Sequence, residues 1–141
     1  MTKTIEHVHW PDAPQMWMPY APAIKVTGGT TVYCAGVTAA PVYHHHPHRA
    51  EEFDAMPKDM EGQARAALEN LKKSLAAVGA GFADVVTANR FLTDISQQDA
   101  LNRVWGECFG DAKPATTTVQ VVQLATDPRC LIEINAIAVI D

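Results

Sequence analysis

The run CLIEINAIAVI, Cys130 to Ile140, constrains the fold more than any other stretch of the chain. Side chains of an extended strand alternate sides, so Cys130, Ile132, Ile134, Ala136, Ala138 and Ile140 share one face, with Leu131, Glu133, Asn135, Ile137 and Val139 on the other. The first face is wholly apolar or small and suits a cover of helices. The second holds Glu133 and Asn135 but is otherwise too apolar to be left in water. A sheet built around this strand needs cover on both sides.

Two segments can supply helices. From Asp59 onward, Ala64, Leu68, Leu71, Leu75 and Val78 recur at spacings of four and three, and Gly79 stands where a helix C-cap glycine is favoured. Leu101, Val104, Trp105 and Cys108 form a second stripe, entered through Asp94 or Ser96 and left at FGDAKP. Both are needed for the first face, so further copies of the subunit are expected on the second, and the chain should be a homo-oligomer. The remaining β signals are ADVVTANRFLTD, TTTVQVVQL, and two runs around Gly28-Gly29 that read as a hairpin. The proline- and tryptophan-bearing stretch HWPDAPQMWMPYAPA reads as an extended arm. Its Met16 and Trp17 are assigned to packing at a subunit edge in preference to a ligand wall.

With 141 residues, 48% hydrophobic and 19% charged, the chain is expected to form one domain spanning residues 1–141. Sixteen acidic residues against 11 basic ones, a net charge of −5 and no Lys/Arg cluster disfavour nucleic-acid binding. No long uncharged apolar run suggests a membrane span or a signal peptide, so a cytoplasmic protein without membrane partners is expected. Cys34, Cys108 and Cys130 have neither the number nor the spacing of a disulfide framework or a thiolate metal knuckle, and are expected to be buried and reduced.

YHHHPHRAEEFD, Tyr43 to Asp54, holds four of the six histidines. Imidazole binds metals, titrates near neutrality and donates to anions, so a metal site, a substrate-binding lip and a solvated loop all stay open. Metal is the less favoured reading and none is expected. His44, His46 and His48 would share one side of an extended strand, but Pro47 interrupts it, and zinc sites draw their ligands from a well-fixed scaffold.

The order of these elements, with MPYAPAIKV, VYCAGV, GQARAALENLKKSLAAVGAGFADVVTANRFLTD, NRVWGECFGDAKPATTTV and LIEINAIAVI, resembles the Rid family of reactive intermediate deaminases, also called YjgF, over about residues 18–140. The resemblance implies an α+β, chorismate-mutase-like fold, with a mixed β-sheet carrying two helices on one face. It also implies a homotrimer with sites in the clefts between subunits. The best-studied branch hydrolyses enamine and imine acids such as 2-aminoacrylate to keto acids and ammonia, without metal or organic cofactor. Carried over by motif, the pocket tyrosine falls on Tyr20, the small residue and glycine at a strand end on Ala35 and Gly36, the helix asparagine on Asn102, and the water-positioning glutamate on Glu133.

One family residue is missing. Where those deaminases read Pro-Ala-Arg, this chain reads Pro114-Ala115-Thr116, with Thr118 in place of a cysteine. Losing a charge-assisted pair from a buried site costs about 2–5 kcal/mol, so a substrate other than 2-aminoacrylate is expected, and the chain resembles Rid branches that lack this arginine. Its connection from Thr38 to Asp59 is longer than in the arginine-bearing branch and carries the histidines. Arg49, His44, His46 and His48 are therefore candidates to recognise the substrate. The expected function is water-mediated C–N hydrolysis of a small imine or enamine, with Glu133 and the backbone at Gly36 in the catalytic role. The alternative is a non-catalytic trimer that binds a small metabolite. Cys34 is read as a small core residue, since no local histidine is placed to activate it.

Overall fold

The computed structural model describes residues 2–141. The helical period after Asp59 becomes α1, Met60–Ala76, and the Asp59 carboxylate caps it by accepting from the Gly62 amide at 3.1 Å. Gly79, at φ 75°, ends the segment, and Ala80 N–H donates back to Leu75 O at 2.9 Å. Val78 falls beyond the helix and is 43% exposed, so the inward stripe stops at Leu75. Asp94 caps a 3-10 turn, Ile95–Gln97, that runs into α2, Gln98–Phe109, which buries Leu101, Val104, Trp105 and Phe109. Of the three cysteines, all free, only Cys130 is fully buried; Cys34 and Cys108 are half-buried.

Six strands complete the chain: β1, Thr4–Val8; β2, Ala23–Thr27; β3, Thr30–Val37; β4, Val85–Leu92; β5, Ala115–Gln120; and β6, Ile132–Ile140. The main sheet has the order β3-β6-β4-β5, antiparallel except for the parallel pair β4 and β5. The fold is thus α+β with a mixed sheet. Ile132, Ile134, Ala136 and Ala138 of β6 pack with Leu68, Leu71, Leu101 and Trp105 of the two helices, so both helices lie on one face. Register places Tyr33, Ile137, Asn135, Glu133, Asn89, Phe91 and Val119 on the other. On that face Tyr33 is 78% exposed.

The expected hairpin at Gly28-Gly29 does not form. β2 pairs with β1, Thr27 opposite Thr4, while β3 pairs with β6, Thr30 opposite Ile140. Two successive glycines at φ 72° and 85° carry the chain from one sheet to the other. The turn signal is real, but β1, which lies ahead of the proline-rich arm, competes successfully for β2. At Gly29 a Cβ would lie 2.6 Å from Ile140 O and 2.7 Å from Val139 Cγ1. Gly29→Ala should therefore lower stability by about 1–3 kcal/mol, from positive φ and steric conflict together, measurable as a shift in denaturation midpoint with unchanged slope.

Candidate functional site

β3 breaks its pairing with β6 between Cys34 and Val37, leaving Ala35 and Gly36 as an exposed bulge. Bulges re-aim side chains and release backbone groups from the ladder. Across the bulge lies Asn135, and two residues along β6 Glu133 sits half-buried on the helix-free face, where a Cβ at Gly36 would come within 2.6 Å of Glu133 Oε2. Glycine is what lets the carboxylate sit against the bulge. The bulge of Ala35 and Gly36 and the Glu133 carboxylate are thus brought together. Cys34 beside them is held above its ordinary thiol pKa by burial, which makes it a poor nucleophile.

The other carried-over residues lie elsewhere. Ala21 N–H donates to Pro114 O at 3.2 Å, tying the arm that bears Tyr20 to the start of β5. Tyr20 lines a groove of about 840 Å³ with Trp10, Met16, Trp17 and Lys113. Trp17 also packs on α2 at Gly106, and the Lys113 ammonium stands 5.2 Å from its ring centre. Thr116 and Thr118 pair with Ala88 and Arg90, so they face the helices at the sheet's edge. Asn102, on α2, has a buried Oδ1 with no partner among the described residues.

Sequence reasoning missed Arg90. It is 3% exposed, donates from Nε to Thr118 Oγ1 at 2.9 Å and lies 4.9 Å over the Trp105 ring, with Nη1 buried and without a partner among the described residues. Burial without a carboxylate partner pushes its pKa down to about 10. The signal was an arginine at an inward-facing position of ANRFL, the kind of buried charge that needs an explanation.

The histidine connection is a built structure. His44, His46 and His48 gather over Phe53, which is 1% exposed and packs with Ala40, Met56, Leu124 and Cys130, with Phe91 beside them. Arg129 donates to Asp54 Oδ1 at 2.9 Å, Ala50 O at 2.8 Å and Asp127 Oδ1 at 2.9 Å, fastening the 3-10 turn Ala50–Phe53. Asn70 of α1 donates to Thr38 O and Ala40 O at the other end. Buried Gln63 donates to Pro57 O at 2.9 Å and Arg129 O at 2.8 Å and accepts from Leu131 N–H at 2.7 Å. Arg49 is exposed and its side chain does not cap the turn that follows it. His45 pairs with Glu52 at 2.9 Å, away from the other three.

A family pattern described as endoribonuclease L-PSP matches residues 11–140. The chain therefore belongs to the Rid/YjgF/L-PSP family. It is 35% identical over 132 residues to Protein DfrA of Myxococcus xanthus, covering 94% of this chain and 93% of that protein. It is also 35% identical over 131 residues to a 2-iminobutanoate/2-iminopropanoate deaminase of Dermatophagoides farinae, covering 93% of each. Among solved structures, a Rid-family protein, YyfB, from Yersinia pestis superposes with a TM-score of 0.79 at 25% identity, over 96% of this chain and 98% of that one. Among the described residues, no helix is long and apolar enough to cross a membrane.

Gln63→Ala should cost about 3 kcal/mol, because it strands an amide and two carbonyls in a buried place and leaves a void; equilibrium denaturation reads this directly. The hydrogen bonds from Arg129 hold the Asp127 carboxyl below its ordinary 3.8. A depressed acid stabilises the fold above its unfolded value and loses that contribution as pH falls through the folded one. Amide exchange in residues 44–54 should therefore accelerate below about pH 4, and Asp127→Asn should raise exchange at neutral pH and flatten this acid step.

Proposed function

We propose that the chain is an imine or enamine deaminase-like hydrolase of the Rid branch lacking the carboxylate-binding arginine, acting as a homotrimer with its sites between subunits. The observation that carries this reading is the Glu133 carboxylate seated against the Gly36 bulge. There Glu133 holds a water and takes its proton as the oxygen adds to the C=N carbon. The exposed backbone at Ala35 and Gly36 stabilises the adduct, and ammonia leaves after protonation of its nitrogen. No cofactor is required for these steps. The Dermatophagoides farinae relative, a 2-iminobutanoate/2-iminopropanoate deaminase, supports the same substrate class.

The sheet order supports the intersubunit site. Gly36 belongs to the β3 edge and Thr116 and Thr118 to the β5 edge, about 14 Å apart at ordinary strand spacing. Glu133 and the two threonines also point to opposite faces. One chain cannot close them around a small substrate; two chains, edge to edge, can. Tyr20, Asn102, Thr116 and Thr118 then form the second wall, and His44, His46, His48 and Arg49 the rim. Thr116 leaves room for a substrate larger than 2-aminoacrylate.

A second reading, a metabolite-binding trimer without turnover, is favoured by the absence of arginine at Thr116. The net charge of −5 weighs against RNA as the ligand. Ammonia release from a panel of freshly generated imines, with and without carboxylates, separates the readings. Glu133→Gln should lower turnover about 10²–10⁴-fold with assembly intact. Thr116→Arg should improve use of carboxylated imines about ten- to a hundredfold, as a charge-assisted pair of about 1.5–3 kcal/mol implies. Saturable binding with no product from either protein would favour the second reading.

A further inference from the structure

We propose that His44, His46 and His48 bind one divalent transition-metal ion of the zinc class, through three neutral imidazoles with a coordination position left for an exchangeable ligand. Their ligand atoms lie within 4.8 Å of one another. The ring centres form a nearly equilateral triangle with sides of 4.8, 5.0 and 4.9 Å. The objection raised by Pro47 disappears, because the chain turns within the segment and brings all three rings to one point.

The surroundings are those of a prepared site. His44 Nδ1 lies 2.7 Å from Pro41 O. A carbonyl only accepts, so Nδ1 carries the proton and Nε2 is left as the nitrogen able to bind metal, the arrangement by which an outer carbonyl orients a metal-binding imidazole. Phe53 meets His44 at 5.2 Å and His48 at 5.7 Å, both edge-on, forming a rigid apolar floor. Three anchors hold that floor: Arg129 on the turn, Asn70 at the loop's start and Gln63 at its end. Glu52 accepts from both His45 N–H and His45 Nδ1, which keeps the fourth histidine out of the cluster.

Ligand chemistry selects the ion. Three nitrogen donors without a carboxylate suit zinc, cobalt, nickel or copper and not magnesium or calcium. Metal–nitrogen bonds of about 2.0–2.1 Å place tetrahedral donors about 3.3 Å apart, so the ligand atoms, which lie within 4.8 Å of one another, must close by up to roughly 1.5 Å. His46 and His48 are exposed, with free space in which to rotate inward. Three protein ligands are the pattern of open, exchange-competent sites. This proposal rests on the loop's geometry and holds whether or not the chain is a deaminase.

The test uses the full-length protein, freed of metal with a chelator and titrated with zinc by calorimetry and with cobalt by visible spectroscopy. The expected result is one ion per chain, bound at micromolar or tighter affinity, with cobalt bands of low-coordinate nitrogen ligation. His44→Ala, His46→Ala and His48→Ala should each weaken zinc at least tenfold to a hundredfold. His45→Gln, which keeps a hydrogen bond to Glu52, should leave affinity within about twofold. Unchanged circular dichroism and assembly would separate ligand loss from misfolding. Absent binding, or four equal small losses across the histidines with non-integral stoichiometry, would overturn the proposal.

Discussion

The structure depends first on the amide of Gln63. A side chain that is 1% exposed uses both its donors and its acceptor on three backbone groups from two distant segments, the Pro57 end of the histidine loop and the Arg129–Leu131 entry to β6. Each bond satisfies a polar group that would otherwise be buried unpaired. Their joint effect is geometric: one turn of α1 sets where the loop ends and where the strand bearing Glu133 begins. Arg129 extends the same junction to the turn over which the histidines gather. The candidate catalytic carboxylate and the histidine cluster therefore share one rigid foundation, although they lie far apart in sequence.

From that foundation the strands separate the family's pocket residues instead of collecting them. Gly36 and Glu133 occupy one end of the sheet order and one face; Thr116 and Thr118 occupy the other edge on the helix-bearing face, and Asn102 lies on α2. The helix-free face, with Tyr33 and Val119 exposed, asks for cover. The proposed assembly would meet both needs. Arg90 adds an electrostatic cost in the same edge region, a buried guanidinium without an acid. A buried, strongly perturbed guanidinium marks a functional-site candidate, and it hydrogen-bonds Thr118 at the β5 edge.

What was legible in the sequence was local. The period of Ala64 to Leu75, the Gly79 stop and the alternation of β6 all depend on neighbours within a turn or a strand, and they formed as expected. Family membership also came through, because it rests on ordered motifs along most of the chain. Long-range choices were not readable. Gly28-Gly29 carried a true turn signal, yet only β1 and β6 decide with which partners β2 and β3 pair. The histidines looked scattered along a strand broken by Pro47, and their convergence depends on Phe53 and on anchors more than 70 residues away at Arg129. Arg90 was visible as a letter but not as a buried cation, since its burial requires Trp105 from a different element.

The central claim is that one chain holds two halves of different sites and must assemble to complete one. Sedimentation equilibrium of the native protein, beside Tyr33→Asp on the helix-free face, tests it most directly. The account predicts a native mass three times the 15.3 kDa of the chain, with the variant shifted toward the single-chain mass. A native protein that sediments at 15.3 kDa across micromolar concentrations would contradict it, and Glu133 would then have to work without the β5 edge.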